Sequence, residues 1–163
     1  MNRSSLKMVT AVRVVVCGIA CAAWFQVVGC GDDNNHNNVM TQTTVNVTLT
    51  EFVVSTSQGS APAGRITFHV TNIGEDMHEF LVIKTDLAPD DLPTEANGSY
   101  EEDGPGTDLL DEIEVVNPGN SADLQIDLQQ GKYVLICNMV HMEDNGDVEV
   151  HYQLGMHTGF VVN

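Results

Sequence analysis

The chain has 163 residues, 42% of them hydrophobic, and sets 23 acidic side chains against 6 basic ones for a formal net charge of −17. That length suits one domain with appendages. The acidic balance excludes a general nucleic-acid binder, which needs a basic footprint to displace the counterions of a phosphate backbone.

Arg3, Lys7 and Arg13 precede an apolar run from Val14 to Gly29 that only Gln26 interrupts. At about 16 residues the run is short of the roughly 20 that span a membrane, and positive charge followed by a short apolar core is the order of an export signal. The run closes on Val27-Val28-Gly29-Cys30, which resembles the lipobox of bacterial lipoproteins. The resemblance implies that residues 1–29 are a signal peptide and that Cys30 is lipidated and begins the mature chain. It also implies that the protein is exported and lipid-anchored to a membrane, on its periplasmic or cell-surface face. Each buried acyl methylene contributes roughly 0.8 kcal/mol to such an anchor. Beyond the signal, three basic and 23 acidic side chains leave a net −20.

The cysteines divide accordingly. Cys17 and Cys21 fall inside the signal and lipid would block Cys30, so Cys137 is the one unmodified thiol expected in the mature protein. Exported domains usually pair their cysteines or lack them, so a lone thiol asks for a chemical reason.

Residues 31–44 are Asn-rich and polar without an apolar period, and residues 30–44 are expected to form the lipidated Cys and a flexible tether. His36 within it is a solvated linker residue. From Val45 the period becomes two: Val45, Val47 and Leu49 alternate with polar neighbours, as do Ile66, Phe68 and Val70 after the Ala61-Pro62-Ala63-Gly64 turn. Glu79 to Lys84 is a largely apolar run suited to a central strand. Thr85 to Val116 is acidic and rich in Gly and Pro, and is expected to be a surface excursion. Near its end Leu109, Ile113 and Val116 stand at helical spacing, which predicts one short helix. Asn117-Pro118-Gly119-Asn120 is a turn, followed by strands carrying Leu124, Ile126 and Leu128, then Tyr133, Leu135 and Cys137, and a last strand near His157 to Val162. Short strands between Gly/Pro/Asn turns predict an all-β sandwich over residues 45–163.

A His before one strand (Met77-His78-Glu79), a Cys closing another (Cys137-Asn138-Met139-Val140-His141), and then His151-Tyr152-Gln153-Leu154-Gly155-Met156 resemble the ligand pattern of cupredoxins, the plastocyanin-like blue copper proteins. The resemblance runs from about Val45 to the C-terminus and implies a cupredoxin-like Greek-key β-sandwich holding one type 1 copper ion. Its ligands would be the imidazoles of His78 and His151, the Cys137 thiolate and a weak axial thioether from Met156. Such a donor set lies between the preferences of Cu(I) and Cu(II), so little rearrangement accompanies electron transfer.

Two departures from the family pattern stand out. Thirteen residues separate Cys137 from His151, more than the family usually has, which makes His141 a rival ligand. Met142 follows His141 directly, whereas His151 keeps the His-x4-Met spacing, so His151 is favoured and Met139 to Val150 is an insertion beside the site. Glu79 stands where many relatives carry Asn after the first ligand histidine, leaving that residue's loop-tethering role in question, with Asn138 a partial substitute. His69 is expected on a polar strand face and His157 pointing away from Met156.

The resemblance implies an electron carrier and not an enzyme. No His-x-His pair is present to build a trinuclear centre, and Cys137 has no second Cys nearby for a binuclear one. Glu143, Asp144, Asp147 and Glu149 in the insertion suggest a cationic redox partner, such as a cytochrome or oxidase domain, guided by charge. The alternative function is copper capture or delivery by an exported module rich in Met and His.

Overall fold

A computed structural model of the chain describes residues 42–142 and 146–163. The export signal, Cys30, His36, Glu143 and Asp144 lie outside the described residues.

Two sheets face each other. One has the order β2-β1-β4-β7, built from β1 (Gln42–Thr50), β2 (Val53–Thr56), β4 (Gly64–Asn72) and β7 (Ser121–Leu128). The other has the order β3-β11-β8-β5-β6, from β3 (Ser60–Ala61), β11 (His157–Val162), β8 (Gly131–Ile136), β5 (His78–Thr85) and β6 (Thr107–Val116). β1 runs parallel to β4 and β3 parallel to β11, while the remaining pairs are antiparallel. A separate hairpin, β9 (Val140–Met142) with β10 (Val148–Val150), is the insertion between Cys137 and His151. β1 starts at Gln42, so the last three residues assigned to the tether belong to the sandwich.

The period-two residues fill the space between the sheets. Val45, Val47 and Leu49 of β1 and Ile66, Phe68 and Val70 of β4 meet Phe80, Val82, Tyr133, Leu135 and Phe160 in one buried cluster that also contains Cys137 and Met156. Phe68 packs edge-on against Phe160 with ring centroids 5.5 Å apart, a geometry that suits the charge distribution of aromatic rings. Each such large apolar side chain contributes roughly 1.5–3 kcal/mol when fully buried.

β5 is apolar on both faces for a reason the sequence did not disclose. Its Leu81 and Ile83 point away from the sandwich core into a second cluster with Leu92, Tyr100, Val134, Ile136 and Tyr152. The segment between β5 and β6, expected to be a surface excursion, therefore folds back as a cover over the outer face of the sheet. Its backbone is held by Tyr152, whose hydroxyl accepts from the Leu92 amide at 3.0 Å and donates to the Pro89 carbonyl at 3.1 Å.

The predicted short helix is absent: no helix occurs among the described residues, and Asp108 to Val116 lies in β6. The pairing of β5 with β6 slips twice, between His78 and Phe80 and between Val82 and Ile83. Each slip shifts the in–out alternation by one residue. One bulge thus puts Ile113 and Val116 on the core side three residues apart, and the other turns Leu109 to the outer cluster, so the three imitate a helical spacing without sharing a face.

Candidate metal centre

β5 begins at His78, β8 ends one residue before Cys137, and the turn after β10 carries His151. The sandwich brings these three to one end. His78 and Cys137 are fully buried and His151 is 2% exposed. The sulfur of Cys137 lies 3.4 Å from His151 Nδ1 and 3.9 Å from His78 Nδ1, and the two Nδ1 atoms are 3.3 Å apart. All three donor atoms fit within 4.8 Å of one another, the one such group among the described residues.

Met156 is buried in the same core cluster as Cys137. Its backbone is bonded to both neighbours: its amide donates to the His151 carbonyl and its carbonyl accepts from the Cys137 amide, each at 3.0 Å. The turn 151–155 that makes this possible closes on Gly155, whose φ of 98° favours a residue without Cβ.

Burial governs the protonation of the site. It pushes the Cys137 thiol up to about 12, although the amides of Glu79 and Met139 both donate to the sulfur. Burial lowers His78, with Glu51 and Asp76 opposing, and it lowers His151, with His78 adding to the effect. The imidazoles are thus held neutral, with lone pairs available. A thiolate here needs a cation beside it.

The loop before His78 is braced from two directions. Asn72 is fully buried, accepts from the Gly74 amide at 2.9 Å, and donates to the carbonyls of Asp76 and Val116 at 2.7 and 2.8 Å. Glu51, in the turn between β1 and β2, accepts from the amides of Glu75 and Asp76, which with its own amide holds its carboxyl below the usual range. The next residue, Phe52, has a φ of 61°, rare for a bulky residue, and sets its ring edge-on to His151 with centroids 5.5 Å apart. Asn72, Glu51 and Phe52 were missed from sequence. Asn72-Ile73-Gly74 carried the signature of a local side-chain-to-backbone turn, but nothing marked Glu51 or Phe52.

The tether in question at Glu79 is supplied by Glu79 itself. Its amide donates to the Cys137 sulfur at 3.4 Å and its carboxylate accepts from the Asn138 amide. Asn138 does not substitute for it. That side chain makes two bonds to the backbone of Tyr100, at 2.6 and 3.0 Å, and so fixes the cover segment to the loop after Cys137.

His141 is exposed on β9, opposite Glu149, and outside the three-residue group. His69 is exposed and paired with Asp123 at 2.5 Å. His157 packs its ring against Tyr152, with centroids 5.4 Å apart.

No family model and no curated protein matches this chain. Solved structures do. Reduced auracyanin from Roseiflexus castenholzii is 14% identical, over 76% of this chain and 98% of that one, with a TM-score of 0.50. Auracyanin A from Chloroflexus aurantiacus, described as a blue copper protein, is 14% identical over 76% and 100% of the two chains, at 0.47. Reduced rusticyanin is 17% identical over 74% and 79%, at 0.48. The chain is thus a β-sandwich of cupredoxin fold. At one end of it stand a buried Cys, two buried His and a buried Met, in the sequence order that the cupredoxin resemblance implies.

Proposed function

We propose that this protein holds one type 1 copper ion through His78, Cys137, His151 and Met156 and carries single electrons between partners outside the cytoplasm. The observation that supports it is the buried group of one sulfur and two imidazole nitrogens within 4.8 Å. Two imidazoles, a thiolate and a nearby thioether form a donor set that suits copper in both oxidation states. Bound there, copper would supply a one-electron couple. The chain's own residues do the rest. His78 and His151 present neutral nitrogens, and the Cys137 thiol gives up its proton as metal binds. The amides of Glu79 and Met139 stabilise the resulting thiolate. The core around Phe52, Met156 and the strand ends excludes water, and the braced 72–76 loop restrains His78 from following a change of charge.

The membrane anchor belongs to this reading through Cys30 and the preceding apolar run. A cationic redox partner is favoured by the acidic surface: Asp147, Glu149 and Glu95 line one open groove of about 700 Å³. Added Cu(II) should give an intense blue thiolate-to-copper band that disappears on reduction and returns on oxidation, and Cys137→Ser should abolish it. A colourless Cu(II) complex with Cys137 intact would refute the proposal. Raising the salt concentration should slow electron transfer to a cationic acceptor, and a salt-independent rate would remove the charge-guided partner.

A further inference from the structure

The cleft above His151 uses side chains that the buried group leaves out. It encloses about 170 Å³ and is lined by Glu75, Asp76, Met77, Met139, His141 and His151. Two chain segments supply its donors. The loop before His78 brings Met77, and the segment that runs from Cys137 into β9 brings Met139 and His141. The amide of His151 donates to the Met139 carbonyl at 3.0 Å, which fixes Met139 beside the floor of the cleft. Met77 remains 47% exposed.

Two thioethers and an imidazole are soft and borderline donors, a combination that selects Cu(I) over harder divalent ions. Glu75 and Asp76 on the same rim make the potential favourable for any cation. We propose that Met77, Met139 and His141 form a second, shallow site for a soft monovalent cation of the Cu(I) type, directly above His151. The proposal rests on the reading of the buried centre only for its biological meaning, since its three donors are distinct from those of that centre.

Silver(I) is the probe, because it shares the closed shell and ligand preference of Cu(I) without redox chemistry. The full chain carrying Cys137→Ser and labelled at the methionine methyl groups is titrated with Ag(I), and Met77, Met139 and the His141 ring are followed individually by NMR. Site-resolved signals keep binding to the N-terminal cysteines and methionines apart from binding in the cleft. The three residues should shift together on one saturating curve. Met77→Leu with Met139→Leu should weaken the curve seen at His141 by about tenfold or more. Unmoved signals, three separate midpoints, or an unchanged His141 curve in the double variant would overturn the proposal. The Cu(II) absorption band of the chain with Cys137 intact reports the buried centre separately, so either reading can fail while the other stands.

Discussion

The brace between Glu51 and the 73–76 loop can be tested through a change of sign. Gly74 lies so close to Glu51 that an added Cβ would overlap the carboxylate, with Cδ at 3.0 Å. The backbone of Gly74 is not in the left-handed region, so alanine is conformationally tolerable there. Gly74→Ala should therefore act by expelling the carboxylate from the Glu75 and Asp76 amides. Bonds to a charged acceptor contribute roughly 1.5–3 kcal/mol each when shielded, but Glu51 is partly exposed and solvent reduces the pair to about 1 kcal/mol together. In a Glu51→Ala background the same substitution meets no carboxylate and should stabilise by about 0.4–1 kcal/mol through the unfolded chain. The unfolded-chain gain is common to both backgrounds, so the coupling is the lost pair itself, about 1 kcal/mol, above the roughly 0.3–0.5 kcal/mol within which independent sites add. Urea unfolding of the metal-free chain measures it: with a slope of about 2 kcal/mol per molar, Gly74→Ala should shift the midpoint roughly 0.5 M lower in the wild-type background than in the Glu51→Ala background, where it raises the midpoint by roughly 0.2–0.5 M. Equal effects in the two backgrounds would show that Glu51 does not hold this loop.

Other outcomes follow from the same geometry. Burial and the charges of Glu112 and Glu102 push Glu79 up to about 7, with the Asn138 amide opposing. A raised carboxyl favours the protonated folded state, so the metal-free chain should lose about 3 kcal/mol between pH 4.5 and 7, and Glu79→Gln should flatten that slope in unfolding measured against pH. Tyr152→Phe removes the hydroxyl that serves Leu92 and Pro89, and should cost about 1–3 kcal/mol in chemical unfolding because it leaves a buried amide unsatisfied. His151→Ala should abolish the blue band and His141→Ala should retain it; the reverse outcome, read by absorption spectroscopy, would move the ligand to β9.

Legibility from sequence followed the physics of each element. Strands with one buried face announce themselves by alternation, and β1, β4 and β7 were readable for that reason. The inward set of Tyr133, Leu135 and Cys137 shares one core cluster as its spacing implied. β6 was misread because two bulges break the alternation, and a pairing slip leaves no mark in composition. The cover segment looked like solvated chain because its acidic and turn residues outnumber the two that matter, Leu92 and Tyr100, whose burial depends on a sheet face formed far away in sequence. At the site, the donor residues could be named because their types and order along the chain resemble the cupredoxin ligand pattern. The residues that orient them could not. Glu51, Asn72 and Phe52 act through backbone bonds and ring contacts that any acid, amide or aromatic in a turn could make elsewhere without consequence.

The parallel pairing of β1 with β4 sets which end of both strands faces the site of His151. Gln42 stands beside Arg65 at the start of both strands, whereas Leu49 stands beside Asn72 where they finish. Phe52, just past that finish, touches His151. Eight steps of about 3.3 Å put roughly 26 Å between the two ends of the nine-residue β1. Gln42 thus stands at the pole away from His151, so a substitution or a label at the start of β1 would sit far from the buried sulfur and imidazoles.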